Sequence, residues 1–415
     1  MAASCALLSH TARAQTVDSA EQPFELDSAL LYYKENPGRV QTIEPVVSLK
    51  KDFGDQRILG GTFTVDSLSG ATPNGALPSR KPQTFASPSS TSLVPQAGKK
   101  TTLYAIAPGN LPQDPHFNEQ RVAGDADWSQ PMGLDNNLSF GGHVSTEHDF
   151  DSFATHADYS RDFNEKNTTL SAGLSEEYDQ IHAHGGNPVP GSDYELYEHE
   201  GGQTKTVSGA LIGVTQIMAR NWLMDLNYSY DHSQGYLTDP YRILSVLDAL
   251  GNVTGYRYEN RPDSRARQDL YWVNKVAFGP TVLDVSYRRG KDSWGIGSDT
   301  AEAHLRIDLG HGVYLEPHLR WYHQSAADFY DLYLSAATAA PQFMSADPRL
   351  AAFIGTTAGL KLGVTIGRYG EVSLRLEEYQ QRPSDQSSAL PQLQGLNLNP
   401  NLTATIAQLS WGLQF

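Results

Sequence analysis

A two-residue period, sustained over segments far longer than ordinary strands, restricts this sequence more than any other feature. Residues 313–323, VYLEPHLRWYH, place Val313, Leu315, Pro317, Leu319 and Trp321 on one parity and Tyr314, Glu316, His318, Arg320 and Tyr322 on the other. Residues 301–309, AEAHLRIDL, set Ala301, Ala303, Leu305, Ile307 and Leu309 against Glu302, His304, Arg306 and Asp308. Val372, Leu374 and Leu376 oppose Ser373, Arg375 and Glu377, and Trp222, Met224, Leu226, Tyr228 and Tyr230 oppose Asp225, Asn227, Ser229 and Asp231. The chain stops in the same rhythm: in residues 408–415, QLSWGLQF, Leu409, Trp411, Leu413 and Phe415 share one side. Successive side chains of a strand point to opposite faces, so each segment reads as a strand with one apolar and one polar face. A sandwich in water could use such strands, but soluble strands run about 5 to 6 residues. A tilted membrane-spanning strand needs about 9 to 11. No stretch approaches the roughly 20 apolar residues of a membrane helix.

Sixteen such segments are predicted, an even number, at 26–35, 39–51, 56–67, 117–131, 135–149, 153–163, 167–182, 203–219, 221–236, 264–279, 281–292, 298–309, 313–328, 353–367, 371–382 and 402–415. Even-numbered segments are followed by tight turns such as DFGDQ, GLDN, NEKN, ARN, GHG and RYG. The long insertions, 68–116, 183–202, 237–263, 329–352 and 383–401, all follow odd-numbered ones. A sandwich has no reason to sort its loops by parity, whereas a transmembrane barrel has short periplasmic turns and long extracellular loops. The predicted fold is all-β, an antiparallel up-and-down transmembrane barrel occupying residues 26–415.

Charge placement points the same way. A Lys or Arg facing lipid at mid-depth costs about 2 to 4 kcal/mol, so Arg306, Arg320, Lys361 and Arg375 belong in the lumen. Each falls on the polar parity of its segment, together with Glu302, His304, Asp308, Glu316, His318 and Glu377. Sixteen strands enclose enough width for an aqueous channel of mixed charge, and fall short of the 22 of plugged, energised transporters. The 31 basic and 47 acidic residues leave a net charge of −16, which repels nucleic acid. Tyr, at 21 residues, outnumbers Phe at 14, in keeping with rings placed at a lipid–water boundary.

Residues 1–14 read as the remnant of an export signal, with an apolar stretch from Ala2 to Leu8 and cleavage after Ala14, and 15–25 as a periplasmic segment. That cleavage removes Cys5, the only cysteine, and with it any thiol chemistry. Trp411, Leu413 and Phe415 form a terminal aromatic signature similar to the one that the barrel-assembly machinery recognises.

The densest set of metal-ligand types lies around one external loop, where His182, His184 and His199 stand among Glu176, Glu177, Asp179, Glu195, Glu198 and Glu200. Imidazole with carboxylate suits Zn, Cu or Ni. HEGGQ at 199–203 lacks the second His and the helix of a zincin motif. DADW at 125–128 and HDFD at 148–151 put carboxylates two apart without the ligand loop of a calcium site. No Gly-x-Ser-x-Gly or phosphate-cradling glycine loop occurs, so neither catalysis nor a cofactor is expected.

The segment TFTVDSLSGATPNGA at 62–76 resembles a motif of an uncharacterised family of bacterial outer-membrane β-barrel proteins. The match rests on Asp66, Gly70, Ala71, Pro73 and Gly75, and YYKENPGRV at 32–40 fits the family's opening. The resemblance covers residues 24–415 and implies export, a barrel and the outer membrane, without an activity. Gly70, Pro73 and Gly75 are turn formers, so this loop either constricts the pore or begins a lid. Arg80, Lys81, Lys99 and Lys100 make the loop basic and suited to lipopolysaccharide phosphates. The expected function is a porin-like pore for small solutes or ions. The alternative is a plugged barrel serving as an anchor, a metal receptor or a platform for periplasmic partners. A homo-oligomer is compatible with either.

Overall fold

The computed structural model describes residues 24–36, 38–70, 72–88, 102–196 and 198–415. The export-signal remnant, Cys5, Ala71, Lys99 and Lys100 lie outside them. Sixteen strands close into one antiparallel barrel in chain order. They are β1 (Phe24–Asn36), β2 (Gln41–Asp52), β3 (Ile58–Ser69), β4 (Asn118–Pro131), β5 (Asn136–Thr146), β6 (Phe150–Phe163), β7 (Thr168–Ile181) and β8 (Gln203–Ala219). The second half comprises β9 (Trp222–Gly235), β10 (Ser264–Phe278), β11 (Thr281–Asp292), β12 (Gly297–Gly310), β13 (Val313–Gln324), β14 (Phe353–Thr365), β15 (Glu371–Pro383) and β16 (Leu402–Gln414).

Each segment read from the alternation is one of these strands, with ends shifted by a few residues. The largest shifts have local causes. β13 stops at Gln324 because Ser325 turns to accept the Gly297 amide at 2.8 Å and Ala327 is drawn into an apolar cluster with Trp294. β1 begins at Phe24, inside the segment assigned to the periplasm, because Phe24 and Phe415 exchange two backbone hydrogen bonds of 2.7 and 2.9 Å and their rings stack at 5.7 Å. The C-terminal strand therefore closes the cylinder against β1, with Trp411 opposite Ser28 and Leu413 opposite Leu26. The ladder between β12 and β13 is interrupted opposite Pro317, which has no N–H to give.

The distribution of apolar surface is inverted relative to a soluble barrel. Leu30, Phe63, Phe140, Leu174, Ile212, Leu319, Leu376 and Leu409 all point outward and are exposed, while Arg306, Arg375 and Lys361 lie on the inner face with Tyr314. Aromatic rings gather at the short-turn rim. Trp411 donates its indole N–H to the Tyr369 carbonyl at 2.8 Å, Trp222 donates to Asn274 at 2.9 Å, and Phe53 packs against Trp128. An uninterrupted apolar belt of this extent is stable only against lipid. A closed barrel with such a belt has every backbone group paired and no open edge. The protein is an outer-membrane β-barrel.

The buried apolar cores lie elsewhere. Among the described residues four clusters, centred on Phe85, Leu247, Leu244 and Trp294, are built from residues between the barrel strands, at the long-loop end.

Candidate functional site

The long loops do not stand apart from one another. In the loop after β9, Ile243–Leu247 pairs with Val253–Tyr258 and, in parallel, with Leu334–Ser335 from the loop after β13. The loop after β3 contributes the hairpin Gln83–Ala86 with Leu103–Ile106, and its Asn74 carbonyl accepts the Ile243 amide at 2.9 Å. Arg80 donates to the Gln392 and Gln394 carbonyls in the loop after β15, at 3.1 and 2.9 Å. The loops after β3, β9 and β13 are rooted six, four and six strands apart around the ring. Segments rooted that widely can meet only by crossing the mouth, so together they form a lid.

The resemblance motif is where the lid is seated. Asp66 on β3 accepts Arg121 Nε from β4 at 2.6 Å, directly across the ladder. Gly70 has φ +77°, and a Cβ there would collide with the Arg39 carbonyl. Gly75, at φ +98°, presses its backbone against that of Ile243. The Pro73 carbonyl and the Thr72 hydroxyl both accept from the Arg242 guanidinium.

Arg242 belongs to a group of three carboxylates and three guanidiniums, buried at Glu259, Asp347 and Arg242 and open to solvent at Arg349. Asp347 Oδ2 takes Arg261 Nη2 at 2.7 Å and Arg349 Nε at 2.8 Å; Glu259 takes Arg261 Nη2 at 3.1 Å and the Asp239 amide at 2.6 Å. Burial alone would raise the Asp347 carboxyl, but Arg349, Arg242 and Arg261 outweigh it and hold it well below the usual carboxylate range. Asp239, opposed by burial in the same way, is pulled down to about 2 by Arg242 and Arg349. Burial wins at Glu259, whose pKa is raised despite Arg261. Nothing in the spacing of these six residues announces the cluster, because its members come from two loops nearly 100 residues apart.

Beneath the lid, Arg261, Arg265, Arg267, Arg349, Tyr322 and Gln324 line a cavity of about 290 Å³. A second cavity, of about 470 Å³, lies along β1 to β5, lined by Glu44, Lys50, Thr62, Arg121, Asp125 and His143 among others. The wall between β12 and β15 is packed with side chains. Arg306 stacks on Tyr314, Tyr314 donates to Glu371 at 2.7 Å, and Lys361 approaches the same ring.

Nine of the ten residues read as lumenal line the inner face within the barrel: Glu302, His304, Arg306, Glu316, His318, Arg320, Lys361, Arg375 and Glu377. Asp308 keeps the inner parity but sits exposed at the short-turn rim, where Oδ1 accepts the Gly310 amide at 2.8 Å. His182, His184 and His199 are not brought to one centre. His182 faces Asp151 at 3.9 Å, His184 packs on His148, and His199 on Tyr258. The strand end that carries the first two and the hairpin that carries the third turn their rings toward different neighbours. Asp125 and Asp127 likewise go separately to His143 and His156. Among the described residues, two groups place three ligand atoms within 4.8 Å: Glu302, His304 and His318, and the carboxylates Glu119, Glu147 and Asp149. The first was legible in part, since His304 and His318 are equidistant from His311 at the centre of the GHG turn.

Searches against known proteins find no match among curated sequences. Among solved structures, the ferric enterobactin receptor PfeA of Pseudomonas aeruginosa, as a mutant, superposes with TM-score 0.45 at 11% identity over 94% of this chain and 60% of its own. The outer membrane protein OpdK of the same organism gives TM-score 0.42 at 10% identity, covering 95% of this chain and 99% of its own. CdiB from Acinetobacter baumannii gives 0.44 at 8%, over 94% and 60%. The chain thus spans about three-fifths of the receptor's length. A family model described as "Protein of unknown function (DUF3570)" matches residues 1–413, and the chain belongs to that family.

Proposed function

We propose that the protein is a lidded channel of the outer membrane, passing small polar solutes or ions through a charge-lined lumen when the external loops separate. The observation that supports this most is the division of labour between loops and wall. The apolar cores stabilise the lid as a unit of its own, and cavities of about 290 and 470 Å³ lie beneath it. A cavity lined by paired guanidiniums beside Tyr322 and Gln324 suits a small polar solute, because charged groups already held in geometry lose little on binding it. Recognition of Trp411, Leu413 and Phe415 by the assembly machinery, and contact of the outer loops with lipopolysaccharide, belong to the same proposal.

The alternative of a permanently closed anchor is favoured by the size of the lid cores. Planar-bilayer recording separates the two. The intact chain is expected to show small, intermittent conductance, and a variant with residues 72–116 replaced by a short Gly-Ser linker a larger, sustained one. Asp347→Ala, which leaves the buried Arg242 and Arg261 short of a partner at a cost of about 3 to 5 kcal/mol, is expected to lengthen the open time. Silence from all three proteins would leave the anchor; equal, sustained conductance from all three would remove the lid as a gate.

A further inference from the structure

His304 on β12 and His318 on β13 are direct cross-strand partners, and their rings stack with centroids 4.1 Å apart and planes 3° from parallel. Both turn Nε2 to one atom, Glu302 Oε1, at 3.0 and 2.9 Å. Behind the rings, His318 Nδ1 lies 2.8 Å from Glu377 Oε1 and His304 Nδ1 lies 3.5 Å from Glu316 Oε1. Each ring therefore has a carboxylate at both nitrogens. In the neutral tautomer that carries its N–H at Nδ1, toward the outer carboxylate, each ring presents a bare lone pair at Nε2. Two such lone pairs converge on a third, that of Glu302. In that state the three atoms can hold one electropositive centre, which a proton or a metal ion supplies.

We infer that Glu302, His304 and His318 form a binding site for a divalent late-transition-metal ion, of the zinc or copper(II) class, on the lumen wall. Two imidazole nitrogens and one carboxylate oxygen are the donor set such ions take, with a coordination position left toward the lumen. Bonds of about 2.0 to 2.1 Å in tetrahedral arrangement separate ligand atoms by about 3.3 Å, so Glu302 has to draw back by a few tenths of an ångström and the two rings, which lie parallel, have to splay to turn both Nε2 lone pairs to one ion. The carboxylates behind the rings supply the outer support that metal-bound histidines use to fix tautomer and orientation.

The wall is built to allow this. Glu377 is on β15 and reaches His318 on β13 by passing over β14 at Gly359. A Cβ at Gly359 would come within 3.0 Å of the Glu377 Cβ, Cγ and Oε1. Any side chain there would push the carboxylate off the ring. Gly359 and Glu377 are positioning residues for the site, and neither would touch the ion.

The test is calorimetric titration of the detergent-solubilised full chain with ZnCl₂ after dialysis against EDTA, repeated with CuCl₂. Co²⁺ substitution provides a visible spectrum that reports nitrogen and oxygen ligation. One ion per chain is expected. The heat and the cobalt bands should vanish in His304→Ala with His318→Ala and survive in His182→Ala with His184→Ala and His199→Ala. Glu302→Gln should remove them with little change of shape, and Gly359→Ala should weaken binding about 10–100-fold. Heat-modifiable migration on gels confirms that each variant remains a barrel. Binding that persists in folded His304→Ala/His318→Ala, or is lost in the loop triple variant, overturns the site, as does an intact chain that takes up neither ion. The titration does not depend on conductance, so a closed barrel leaves this inference standing.

Discussion

Gly75 and Gly70 show how single positions decide whether the loops gather. At Gly75 the backbone is left-handed and lies against Ile243, so a side chain would be strained by its φ and would also separate two lid segments. Gly75→Val is expected to loosen the lid while the barrel stays intact: residues 72–88 become accessible to added protease, and heat-modifiability is unchanged. Protection equal to that of the intact chain would mean that the contact is dispensable. Both glycines were readable as turn formers. Their partners were not, because Ile243 stands far along the chain and nothing in local composition marks it. The same limit applies to His304 and His318, whose inner parity was plain although their convergence on Glu302 depends on rotamers no alternation encodes.

Among the elements, strands and loops differ in how they are specified. A strand such as β11 (Thr281–Asp292) was bounded correctly from sequence because lipid on one side and water on the other impose a period on Leu283 to Tyr287, and Pro280 marks its start. The lid strand Ile243–Leu247 lacks that imprint, since both of its faces are covered by other loops, and its partner Leu334–Ser335 is too short to show one. Their long-range pairing is set by burial of Leu244 and Met344 and by the Asp239, Glu259 and Asp347 network.

That network makes the lid responsive to acid. Asp347 and Asp239 have pKa values below those of the unfolded chain. Their stabilisation is thus complete above about pH 3.9, the ordinary Asp value, and is lost as pH falls toward about 2 at Asp239. Glu259 has a raised pKa, so its contribution has the opposite sign: it is full below its ordinary value of about 4.3 and is lost as pH rises through the shifted one. Lid amide protection, corrected for intrinsic exchange rates, should therefore peak near pH 4 and fall on further acidification to pH 2. Protection that keeps rising to pH 2 would show that the two aspartates are not held ionised.

For the molecule as a whole, the inside and the outside have exchanged their usual chemistry. Charged side chains fill the cylinder, apolar ones face outward, and the apolar cores have moved to the loops at one end. Every strand of the barrel follows from that exchange, including the last. β16 runs to Gln414, and Phe415 stacks on Phe24 to seal the short-turn rim. The most direct test replaces Cys5 with Ser and introduces single cysteines at residues 408 to 413 for spin labelling in lipid vesicles. Labels at Leu409, Trp411 and Leu413 should be relaxed by oxygen, which concentrates in lipid. Those at Gln408, Ser410 and Gly412 should be relaxed by a water-soluble nickel chelate, giving a strict two-residue alternation. Equal exposure of all six to the nickel chelate, from a chain that also stays monomeric without detergent, would contradict a barrel that meets lipid outside and water within.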